Sequence, residues 1–136
     1  MSKTAIVYWS GSGNTEAMAK AVAKGISDAG AVADLFAVSD FDSSKLSDYT
    51  GFAFGCPAMG SENLEDSEFE PVWDSVKDSL GDKKVVLFGS YGWGDGEWMR
   101  NWEESAPCEI IGTYICADAP GPDEEAACRA LGAKTV

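Results

Sequence analysis

The sequence predicts an α/β fold, a doubly wound five-stranded parallel sheet with helices on both faces, built as one domain over residues 1–136. Three observations predict it. Short apolar runs alternate with helical patterns along the chain, and the run Val85-Val86-Leu87-Phe88 is continuous in the way that burial on both faces demands. Three loops of unusual composition each follow such a run, which sets all of them on the carboxyl edge of the sheet, where folds of this kind bind ligands.

Each element has its own justification. Ile6-Val7-Tyr8 forms the first strand and runs into Trp9-Ser10-Gly11-Ser12-Gly13-Asn14-Thr15, made almost wholly of hydroxyl, amide and glycine residues. A helix is expected over Glu16 to Asp28, with Met18, Ala21, Val22 and Ile26 at helical spacing and Gly30 as its stop. The second strand is expected at Val32 to Val38, followed by a polar stretch, Asp40 to Asp48, that is anchored by Leu46 and has room for little more than a turn of helix. Tyr49 to Gly55 gives a third strand. In the loop after it, Pro57 sets a turn, Gly60 supplies a pliable peptide and Met59 carries an apolar side chain into an exposed segment. Glu65, Asp66, Glu68 and Glu70 precede Pro71 as expected at a helix start, with Val72, Trp73, Val76 and Leu80 as its buried face and Gly81 as its end. Lys84 to Gly89 is the fourth strand, and Ser90-Tyr91-Gly92-Trp93-Gly94-Asp95-Gly96 then holds two large aromatics between glycines. Asp95 is the expected N-cap of a helix carrying Trp98, Met99 and Trp102. Glu109 to Ala117 is the fifth strand, and Asp118 to Pro122 turns the chain into a last helix.

The loop after the first strand reads as a phosphate cradle. A helix start presents unpaired N–H groups and the positive end of the helix dipole, and Ser10, Ser12, Asn14 and Thr15 add side-chain donors. A Walker loop would need a Gly-Lys-Ser/Thr step that is missing, and a dinucleotide fingerprint would need a glycine where Glu16 stands. The loop therefore suits a phosphate that is bound rather than transferred.

Composition narrows the chemistry. The chain has no histidine, which excludes Ser-His-Asp and Cys-His catalysis and the usual proton shuttle at neutral pH. Cys56, Cys108, Cys116 and Cys128 form no CxxC pair, so zinc and iron–sulfur sites are not expected and the thiols read as packed and reduced. Chemistry is left to a bound cofactor. A net charge of −13 repels nucleic acid and anionic membranes and attracts a basic patch on a protein partner. No apolar stretch approaches the roughly 18 residues of a membrane span and Met1-Ser2-Lys3 leads straight into a strand, so a cytoplasmic protein is expected.

Tyr8 to Thr15, Gly55-Cys56-Pro57-Ala58-Met59-Gly60 and Leu87 to Gly96 together resemble the flavodoxins, specifically the short-chain clostridial type. The resemblance spans nearly the whole chain, and three motifs in the right order make it specific. It implies the 2-1-3-4-5 strand order with FMN at the switch point, an arrangement for which flavodoxin is itself the standard illustration. It also implies a low-potential one-electron carrier, cycling FMN through oxidised, semiquinone and hydroquinone forms, that works as a monomer and docks redox proteins by charge complementarity. By motif, the cofactor contacts are Trp9, Ser10, Gly11, Ser12, Gly13, Asn14 and Thr15 in the first loop, and Pro57, Ala58, Met59, Gly60, Ser61 and Glu62 in the second. Ser90, Tyr91, Gly92, Trp93 and Gly96 follow in the third, with Asp118 standing where relatives often have an amide. The resemblance has Met59 and Trp93 flanking the ring, Glu62 accepting from its N3–H, Tyr91 and Gly92 offering backbone donors, and the Gly60-Ser61 peptide answering reduction.

Rival readings meet particular residues. A response-regulator receiver would need an acidic pair where Trp9-Ser10 stands and a phosphorylatable Asp where Cys56-Pro57 stands. A Cys-x5-Arg phosphatase would need arginine at Glu62. The serious alternative is an FMN-dependent quinone reductase, although few Arg or Lys residues are present to hold a second phosphorylated substrate.

Overall fold

The computed structural model describes residues 2–11, 13–59 and 63–136. Five parallel strands, β1 (Lys3–Tyr8), β2 (Val32–Ala37), β3 (Gly51–Gly55), β4 (Lys84–Tyr91) and β5 (Ile110–Ala117), form one sheet in the order β2-β1-β3-β4-β5. The helices are α1 (Asn14–Asp28), α2 (Phe69–Val76), α3 (Glu97–Ser105) and α4 (Pro122–Ala133). Strand alternation sorts the core into two layers. Phe52, Phe54, Val85 and Leu87 face one side with Trp73, Trp98 and Trp102 of α2 and α3, while Ile6, Ala53, Val86 and Phe88 face the other with Met18, Val22, Ile26 and Leu131 of α1 and α4. Helices α1 and α4 approach so closely that a Cβ on Gly132 would lie 2.2 Å from the Val22 carbonyl oxygen, and only glycine fits there.

Several boundaries differ from expectation, each for a local reason. Helix α1 begins at Asn14 because Gly13, at φ 96°, makes the turn into it. Strand β2 stops at Ala37, since Val38–Asp40 coils into a 3-10 turn, and the polar stretch beyond it holds a 3-10 helix over Ser43–Asp48, with the Asp42 side chain accepting from the Ser44 N–H. Strand β3 starts at Gly51, two residues late; Tyr49 lies before it with its hydroxyl donating to Asp34. Helix α2 ends at Val76 and passes into a 3-10 turn, so Leu80 is buried beyond the helix, and the buried face uses Phe69 where Val72 had been expected. Asp95 is not the cap of α3. Gly96 takes that place at φ 91°, in the left-handed region that a β-carbon resists, and Asp95 instead pairs with Arg100.

Candidate functional site

Strand order reverses between β1 and β3, so the loops after β1, β3 and β4 meet along one edge. The first is folded onto its own helix by Ser10, whose Oγ accepts the N–H groups of Gly13 at 3.1 Å and Glu16 at 3.2 Å. A serine three residues ahead of Gly13 thus supplies the cap that glycine lacks, and its own O–H proton is left to donate. Helix geometry gives the Asn14 and Thr15 N–H groups no intrahelical acceptor, so this end of α1 is a nest of donors with positive dipole charge. Thr15 also ties two loops together: its hydroxyl lies 3.0 Å from the Ser90 hydroxyl at the end of β4, and both residues are buried.

The second loop hangs from Cys56. The Cys56 N–H donates to Phe88 O, its carbonyl accepts the Trp98 indole N–H at 3.1 Å, and its sulfur accepts the Glu65 N–H at 3.3 Å. Burial pushes the Cys56 thiol up to about 12, which makes it a packing group and not a nucleophile. Ala58 N–H bonds to Ser90 O, and Met59 and Asn63 exchange two backbone bonds of 2.8 Å. Glu65, buried at the foot of this segment, accepts the N–H groups of Ser67, Glu68 and Phe69 at 2.9, 2.7 and 2.8 Å and so caps α2. Burial works to raise its pKa, but those backbone bonds outweigh it and hold the carboxyl below its ordinary value. The acidic residues there suggested only a favourable dipole; one of them is a buried cap.

The third loop is braced by Arg100, which donates to the Asp95 carbonyl at 3.0 Å and to its carboxylate at 3.1 Å. Tyr91 packs on Trp98, while Trp93 is 52% exposed at the rim. Asp118 enters from the end of β5 in a left-handed conformation, φ 58°, with its N–H on Tyr91 O at 2.9 Å.

Between these loops lies a cleft of about 390 Å³, within the range of small-molecule sites. Trp9, Ser10, Gly11, Asn14 and Thr15 line one end; Pro57, Ala58 and Met59, then Ser90, Tyr91, Gly92, Trp93 and Asp118, line the rest. Gly13 stands just behind, as the N-cap of α1. Gly96 is not brought to the cleft: it faces a separate groove with Met99, Arg100 and Ile115. Ser12, Gly60, Ser61 and Glu62 lie outside the described residues. Among the described residues that line the cleft, Asp118 is the one charged residue and none is Lys or Arg. Sequence reasoning missed Glu68, whose carboxylate accepts the Trp9 indole N–H at 3.1 Å, because nothing sets it apart from its acidic neighbours.

A donor nest at one end and a half-open aromatic and thioether rim at the other define a doubly wound domain that binds a phosphorylated, planar cofactor. The chain belongs to the flavodoxin family, whose model matches residues 6–107. It is 44% identical over 132 residues to the flavodoxin of Clostridium beijerinckii, covering 95% of this chain and 96% of that one. It is 45% identical over 130 residues to the flavodoxin of Megasphaera elsdenii, covering 93% of each. The solution structure of the two-electron reduced Megasphaera elsdenii flavodoxin superposes with a TM-score of 0.88 at 43% identity, over 97% of both chains. An archaeal flavodoxin at 22% identity, covering 98% of this chain and 95% of its own with a TM-score of 0.82, shares the fold. Flavodoxins are FMN-binding electron carriers and not substrate-converting enzymes, and nothing in these relatives supports the quinone reductase alternative. No helix among the described residues is long and apolar enough to cross a membrane.

Proposed function

We propose that the whole chain acts as a single FMN-binding domain, a cytoplasmic monomer that carries electrons between redox proteins. The observation that carries this reading is the polarity of the cleft: backbone donors and Ser10 at the start of α1, and Met59 with Trp93 at the open rim. FMN, when bound, supplies the one-electron chemistry. The protein supplies the rest. The N–H groups of Asn14 and Thr15 and the Ser10 hydroxyl hold the phosphate without a cationic side chain, and Ser12 belongs to the same set. Met59 and Trp93 offer a polarizable thioether and an indole to the two faces of a planar ring. Tyr91, Gly92 and Glu62 would serve the pyrimidine end, and the Gly60-Ser61 peptide would be the one that answers reduction, as the family motif implies. Asp118 puts a carboxylate beside Gly92, where a Cβ would lie 3.7 Å from its Oδ1.

The half-exposed Trp93 marks the edge from which electrons leave. A net charge of −13 steers basic partners toward the molecule, over a Debye length of about 8 Å at physiological salt. Calorimetric titration of the apoprotein tests the assignment. FMN should bind at one site and riboflavin at least about tenfold more weakly, because riboflavin forfeits the charge-assisted N–H contacts. Equal affinities would remove the cradle from this account. Electron-transfer rates to a basic partner should fall as salt rises, and a flat profile would contradict docking by charge.

A further inference from the structure

A second cavity, of about 280 Å³, shares Trp9 and Ser10 as walls with the cofactor cleft. Its other walls carry the side chains of Tyr8, Glu16 and Glu68, and none of the described residues that line it is Lys or Arg. Both carboxylates are oriented by neutral donors: the Tyr8 hydroxyl donates to Glu16 Oε2 at 3.2 Å, and the Trp9 indole N–H donates to Glu68 Oε1 at 3.1 Å. The space next to the phosphate end is thus acidic, whereas the cradle itself is built of N–H donors.

We propose that Glu16 and Glu68 are specificity-determining residues that restrict the cleft to a flavin mononucleotide, by charging the cavity that anything attached beyond the phosphate would have to enter. The inference rests on the reading that FMN places its phosphate at the start of α1. A mononucleotide keeps all of its phosphate charge inside the cradle. Because the two cavities share Trp9 and Ser10 as walls, a flavin dinucleotide whose second phosphate extends past Ser10 would meet the space between two carboxylates, where like charges repel with little counter-charge to offset them. Neither carboxylate lines the cofactor cleft, so removing their charge acts on the dinucleotide far more than on the mononucleotide.

The test is calorimetric titration of the full-length apoprotein with FMN, FAD and riboflavin, in the wild type, Glu16→Gln, Glu68→Gln and the double variant. Glutamine keeps an acceptor for Tyr8 and Trp9 while removing the charge. The affinity for FAD relative to FMN should rise about threefold in each single variant and about tenfold in the double, with FMN itself within about twofold. Raising salt should lift the same ratio in the wild type and leave it flat in the double variant. A ratio that is unmoved by either change, or a wild type that binds FAD as tightly as FMN, overturns the proposal. Equal binding of FMN and riboflavin would instead defeat the placement of the phosphate, and the riboflavin arm keeps the two failures apart. If circular dichroism shows the double variant unfolded, the single variants and the wild-type salt series decide the matter.

Discussion

Thr15 Oγ1 and Ser90 Oγ meet at 3.0 Å, joining the start of α1 to the end of β4 across 75 positions of sequence. The Ser90 N–H also points at the Thr15 hydroxyl, at 3.4 Å, and both residues are buried. Two of the three loops of the cleft are therefore held at a fixed spacing before any cofactor arrives.

Thr15→Val should leave the Ser90 hydroxyl buried without its partner, a loss of about 1–2 kcal/mol in apoprotein stability. It should also weaken FMN binding by about tenfold, since the two ends of the cleft lose their common pin. Thr15→Ser should restore most of both. Urea unfolding and FMN titration of the two variants check this, and a Thr15→Val protein as stable as the wild type would show that the bond contributes nothing.

Much of this arrangement was legible in the residues. Val85 to Phe88 announced a central strand by its unbroken apolar run, and Met18, Val22 and Ile26 gave the buried stripe of α1. The loops could be placed on one edge because parallel strands put every loop that follows a strand at the same end. What could not be read was which side chains find partners across the fold, Thr15 with Ser90 and Trp9 with Glu68, or that the Cys56 sulfur accepts the Glu65 backbone N–H. Hydroxyls and carboxylates look alike in sequence whether they cap a helix, face solvent or bridge two loops. Asp95 shows the same limit, because aspartate is a good cap by residue type, but this helix start turns at Gly96, where φ is 91° and a Cβ would lie 2.7 Å from Ile115 Cδ1.

Glu65 makes stability depend on pH in a defined sense. Its folded pKa lies below its unfolded value, so its contribution is complete at neutral pH and fades as pH falls below the ordinary carboxylate value of about 4.3 and through the folded one. Glu65→Gln should cost about 2 kcal/mol at pH 7, where bonds to a charged acceptor are lost. The gap from wild type should narrow at about pH 3.5, below the ordinary carboxylate value, where the unfolded chain takes up the proton that the folded cap resists. Urea unfolding at both values measures it, and a gap that does not change with pH would mean that charge has no part in the cap.

The thiols should separate by burial. Cys56 and Cys128 are buried and pushed up to about 12, Cys116 is buried and raised by desolvation, and Cys108 is only partly covered. An aromatic disulfide reagent at pH 8 should label one thiol quickly in the folded protein and the remaining three only on unfolding. Mass spectrometry should place the fast label on Cys108. Rapid labelling of Cys56 would contradict the packing described for the second loop.

The central claim is that the start of α1 holds the phosphate of the cofactor while the loops after β3 and β4 hold its ring. Amide nuclear magnetic resonance of the apoprotein, titrated in parallel with FMN and riboflavin, tests it most directly. With FMN, the Asn14 and Thr15 amides should move most, as N–H groups do on meeting an anion, and the neighbouring Gly11 and Gly13 amides should move with them, along with Trp93 and Asp118. With riboflavin, Trp93 and Asp118 should move while the four amides of the first loop stay near their free positions. First-loop amides that respond equally to both flavins, or to neither, would contradict the account.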